Sequence, residues 1–142
     1  MCFRLSGVLA RYRIIRGRRP LDEPLPDGVR QDTRKHTSHV LRPHPHMVER
    51  LLSSPSAQGY DQFRRAYLKL LGERFVTQRT AFDDLARCAM QADVYLGCNC
   101  PTRKQPQLAH CHTVLALGFM KEAYPELSIV FPVEVLPAPT GP

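Results

Sequence analysis

At 142 residues with 43% apolar content, the chain can bury one core of ordinary size, and two full domains are excluded. No apolar run approaches the roughly 18 residues needed to cross a bilayer; thirteen prolines with no tryptophan point to irregular stretches, and the composition as a whole does not fit the collagen, coiled-coil or wholly disordered classes. The formal charge of +7 is lopsided, because residues 1–50 carry eleven Lys or Arg against five Asp or Glu while the rest is almost neutral.

In chain order, Val8, Ala10, Tyr12 and Ile14 alternate with polar or less buried positions and predict a strand with one buried face. From Gly17 to Pro45 there are five prolines and little apolar periodicity, so regular structure is expected to be sparse. His36, His39 and His44 fall there, with His46 just after it. They lack the i,i+4 spacing of a zinc-binding helix and read as loop histidines. Met47, Val48, Leu51 and Leu52 predict a short amphipathic helix stopped by Pro55. A clearer helix follows, with Asp61 as N-cap, an apolar face of Tyr60, Phe63, Tyr67, Leu70 and Leu71, and Gly72 as C-cap. Thr80 and Asp83 imitate a capping box for a third helix that runs to about Gln91.

The last third carries the informative pattern. Val94–Cys98 and Leu127–Phe131 are short apolar runs that read as buried strands, and the stretch from His112 to Ala123 between them has helical spacing. Strand, helix, strand is a βαβ crossover joining parallel strands. The fold class is therefore α/β: a single small domain with a parallel sheet and helices on both faces. Residues 132–139 read as an extended tail.

Five cysteines is an odd count, and Cys98, Cys100 and Cys111 fall within fourteen residues. That is not a disulfide framework, and with Arg4 interrupting the first apolar stretch no secretion signal is legible. A cytoplasmic protein with reduced thiols is expected. Cys98-Asn99-Cys100 leaves the carboxyl end of a parallel strand and His110-Cys111-His112 opens the next helix, so the topology brings the two groups together where ligands of open parallel sheets settle. Three readings stand. In the first, the crevice binds an anionic small molecule such as a nucleotide or phosphorylated metabolite. Cys111 at the helix start is its nucleophile or redox thiol, His112 or His110 the proton partner, and Arg103 and Lys104 the cations for a phosphate or carboxylate. In the second, Cys98, Cys100, Cys111 and one histidine offer the S/N donor set that zinc accepts, although Cys-x-Cys is tighter than the usual ligand spacing. In the third, Cys98 and Cys111 are simply packed thiols. Separately, the basic front end, with Arg4, Arg11, Arg13, Arg16, Arg18 and Arg19, points to nucleic acid by charge alone and shows no reader motif.

The order of motifs resembles the YeaO-like family of bacterial domains of unknown function. Gly28-Val29-Arg30 is similar to that family's Gly-Val-basic loop, and the stretch from Phe63 to Leu71 to its Phe/Tyr-x-x-x-Tyr-x-x-x-Leu helix. The run from Asp93 to Cys100, with Cys111-His112, resembles its strand ending in cysteine and its Cys-His pair at a helix start. Thr113 stands where the family often has Arg. The resemblance covers about residues 28–131 and implies a parallel-sheet α/β fold and a cytoplasmic bacterial protein. It brings no reaction. It divides the chain into a basic, partly disordered segment 1–27, the α/β domain 28–131 and a Pro-rich tail 132–142. Neither a cofactor nor an oligomeric state is legible.

Overall fold

The structure, a computed structural model, describes residues 7–135. Three strands, β1 (Leu9–Arg13), β2 (Val29–Asp32) and β3 (Val94–Cys98), form an all-parallel sheet in the order β1-β3-β2. Four helices complete the domain: α1 (Pro45–Ser53), α2 (Ala57–Thr77), α3 (Arg79–Gln91) and α4 (His112–Ala123). The chain is thus a single small α/β domain. β3 takes the centre because its run Val-Tyr-Leu-Gly-Cys can be buried on either side, as a central parallel strand requires.

Register decides what the sheet presents to the helices. Leu9 pairs with Val94 and Arg11 with Leu96, while Val29 and Gln31 align with the same two β3 residues, so these side chains share a face. Leu9, Val94 and Leu96 are fully buried with Tyr67 and Leu71 of α2, Phe82 of α3 and Leu117 and Met120 of α4. Each large side chain so buried contributes roughly 1.5–3 kcal/mol. The parity expected for β1 is therefore shifted by one residue. Leu9, not Val8, enters the core, and it carries Arg11 toward the helix side.

Other expectations also change. The sheet begins at Leu9, ahead of residue 28. β2 lies inside the stretch expected to lack regular structure; its one apolar residue gives no periodic signal, and pairing with β3 makes it a strand. It is preceded by Gly28, whose φ of +139° and whose approach to the Asp93 carbonyl leave no room for a side chain. Ser56, not Asp61, caps α2, accepting from the Gly59 N–H. The helix runs past Gly72 to Thr77 because glycine inside a helix costs only about 1 kcal/mol, and buried Phe63, Tyr67, Leu71 and Arg74 hold the helix in place. Thr80 lies inside α3 rather than capping it. The strand expected at Leu127–Phe131 shrinks to one parallel bridge, Leu9 to Ile129, with Leu9 N–H donating to Ser128 and Val130 N–H to Leu9. Residues 133–135 form a 3-10 turn, and the rest of the expected tail lies outside the described residues.

Candidate functional site

β3 ends at Cys98, and the chain passes through Asn99, Cys100 and the loop 101–107 to a 3-10 turn at Leu108–His110 before α4 starts at His112. The peptide between Cys100 and Pro101 is cis. This path returns Cys111 to the strand end. The Sγ atoms of Cys98, Cys100 and Cys111 all lie within 4.8 Å of one another, and Cys98 and Cys100 stand 3.9 Å apart. All three residues are buried and free of disulfides, and Cys111 is fully enclosed.

His112 is buried beside them, with Nδ1 3.8 Å from Cys98 Sγ. Its other nitrogen is committed: Nε2 lies 2.9 Å from Thr33 Oγ1 and 3.0 Å from the Thr33 carbonyl. The Thr33 hydroxyl itself donates to the Gly97 carbonyl at 3.0 Å, so it can only accept from His112. Nε2 therefore carries hydrogen, and Nδ1 is the atom turned to the sulfurs.

Arg11 braces the same cluster from β1. Its guanidinium donates to the Cys100 carbonyl at 2.8 Å and, through Nε, to Thr113 Oγ1 at 2.9 Å. With its oxygen accepting from Arg11, the Thr113 hydroxyl is free to donate to Cys111 Sγ at 3.1 Å. Hydrogen bonds from Cys100 and Cys98 hold the Cys111 thiol well below the usual thiol range, against its burial. Hydrogen bonds with Cys111 and Cys98, and then burial, push Cys100 far up. Burial opposes charge on His112, but hydrogen bonds and attraction from Cys111 and Cys98 raise it to about 10. The first causes of the lowered Cys111 thiol are its neighbouring sulfurs, where the sequence pointed to the helix start.

A cavity of about 440 Å³ opens over this cluster. Cys98, Cys100 and His112 line it, and Cys111 does not reach it. Arg103 and Lys104 line it, and so do Arg34 and Lys35, which were missed in the sequence. His110 stands elsewhere: its ring stacks on Tyr60 at 3.8 Å, and it lines a neighbouring cavity. The structure therefore unites Cys98, Cys100, Cys111 and His112, and leaves His110 outside the cluster.

The basic front end is partly consumed by the fold. Arg11 serves the site, and Arg19 donates to the carbonyls of Arg13 and Glu23. Arg13 pairs with Glu23, and Arg4 lies outside the described residues. No helix among the described residues is long and apolar enough to cross a membrane. No family model, curated protein or solved structure matches the chain.

Thr33 was not singled out in the sequence, and Arg11 was named only as one of the basic front-end residues, not as part of this site. Thr33 had no signal, since its role depends on a strand that periodicity does not reveal. Arg11 had one: two residues after Leu9 in a strand, it shares the face of Leu9.

Proposed function

We propose that the chain is a metal-binding module in which Cys98, Cys100 and Cys111 hold a zinc-type ion and His112 supplies the fourth donor through Nδ1. The convergence of three buried sulfurs from two ends of a twelve-residue excursion is the observation that carries this reading. Around a tetrahedral zinc ion, neighbouring sulfurs stand about 3.8 Å apart and a sulfur and a nitrogen about 3.6 Å. The 3.9 Å between Cys98 and Cys100 and the 3.8 Å from Cys98 to His112 fit two edges of that figure. Soft thiolates with one imidazole suit zinc and disfavour magnesium or calcium. The tie from His112 Nε2 to Thr33 is the kind of support that orients a metal-binding imidazole.

With four protein donors the ion would leave no position for a substrate, so the role is structural. It would join the end of β3, the loop 99–110 and the start of α4, elements that otherwise meet through few apolar contacts. Complete burial of Cys111 also supports a ligand over an attacking nucleophile.

Elemental analysis after purification without chelators tests the reading. About one zinc per chain is expected, with a Cys111→Ser variant losing most of it, and the cobalt-substituted protein should show thiolate-to-cobalt absorption. A chain that carries no metal, and whose melting temperature is unmoved by added zinc, would overturn it.

A further inference from the structure

The cavity above the cluster has a charge imbalance that the metal reading does not use. Arg34 is matched by Asp32, whose carboxylate it grips at 2.8 Å while also reaching Asn99. Lys35 is matched by Glu49 at 3.3 Å. Arg103 and Lys104 have no acidic partner among the described residues. A zinc ion with three thiolates and a neutral imidazole leaves one negative charge, which the two free cations exceed. The lining also has an apolar part, formed by Val48, Leu51 and Leu52 of α1 and Phe63 of α2. A space of about 440 Å³ lies in the range that takes a small organic molecule. The lining offers both charge-assisted donors and a hydrophobic surface.

We infer that this cavity binds a small organic oxyanion, a phosphate or carboxylate on an apolar body, with Arg103 and Lys104 holding the anion and the α1–α2 wall holding the body. The inference rests on the metal reading in one respect: the ion would order the cavity floor at Cys98, Cys100 and His112. The cations and the apolar wall belong to the chain itself. Arg34, already fixed by Asp32 and Asn99, stands as a preset edge of the anion's place rather than its principal partner.

Calorimetric titration of the full chain with phenyl phosphate, benzoate and inorganic phosphate at fixed ionic strength tests this, with zinc content measured on every sample. Phenyl phosphate or benzoate is expected to bind at least tenfold more tightly than inorganic phosphate, and the preferred one of the two identifies the anion. The double variant Arg103→Ala/Lys104→Ala is expected to lose at least tenfold in affinity with its melting temperature unchanged. The control Arg16→Ala/Arg18→Ala, which removes exposed cations away from the cavity, is expected to bind as the parent does. Equal loss in both variants would reveal general attraction to a basic surface and overturn the proposal. Absence of binding by samples of verified zinc content would overturn it too. Binding by metal-free protein that still needs Arg103 and Lys104 would uphold the anion site and reject the metal reading alone.

Discussion

Thr33 shows how much a single hydroxyl can decide. Its proton goes to Gly97 and its lone pair takes the His112 Nε2 hydrogen, so one side chain ties β3 to α4 and selects which imidazole nitrogen faces the sulfurs. Thr33→Val keeps the shape and removes both bonds. We expect it to lower zinc affinity by about 10- to 100-fold, measured by competition with a chromophoric chelator, while Thr33→Ser keeps most of it. Equal affinity in Thr33→Val and the parent would mean that the backbone carbonyl of Thr33 alone holds the ring. Arg11 acts from the other side, and Arg11→Met is expected to weaken zinc binding by a similar factor without unfolding the chain, since one leucine-sized apolar side chain then sits among the same strands. At this scale the cysteines and His112 were legible from spacing and topology. Their supports were not, because hydrogen-bond partners 79 and 89 residues away leave no local pattern.

Among the elements, α2 does the most to position its neighbours. Tyr67 hydroxyl donates to the Leu41 carbonyl at 2.6 Å, and Arg74 donates to the carbonyls of Val40 and Arg42. Two side chains two turns apart thereby fix an irregular segment that has no sheet or helix to satisfy its own backbone. Tyr67→Phe is expected to cost about 1–2 kcal/mol, and Arg74→Met about 2–3 kcal/mol, because each leaves buried carbonyls without a donor. Urea unfolding midpoints read both; a Tyr67→Phe midpoint equal to the parent's would show that water replaces the phenol. The apolar face of α2 was plain in the sequence, and so were β3 and α4, whose observed limits are the expected ones. The ends of α2 were not. Asp61 is taken up by Arg64 and Arg65 on the surface, so its identity as a good cap misled, and buried Arg74 extends a helix that a glycine was expected to end.

Across the whole molecule, pH should act through His39 as well as through the cluster. Burial, helped by the nearby His112, lowers its pKa to about 4, and its ring is held neutral between Gln31 and the Leu41 N–H. In the unfolded chain a histidine titrates near 6.5. Above that pH neither state holds the proton and stability is full. As pH falls from about 6.5 toward 4, the unfolded chain gains a proton that the folded one refuses, so stability drops by an amount on the order of 2–3 kcal/mol. His39→Gln should flatten the stability curve over that window relative to the parent; parallel curves would remove His39 as the cause. The α/β class and the parallel sheet were legible from the alternation of apolar runs, whereas β2 and the single bridge at Ile129 were not, since both exist only by pairing with strands far away. That pairing has a further result. The two outer strands are made first, and the central one begins about 80 residues after β1 and about 60 after β2, which at ribosomal rates of about 5–20 residues per second is a wait of roughly 3–16 s. Throughout synthesis of the first ninety residues, β1 and β2 have no partner in each other, so both strands wait unpaired until β3 emerges.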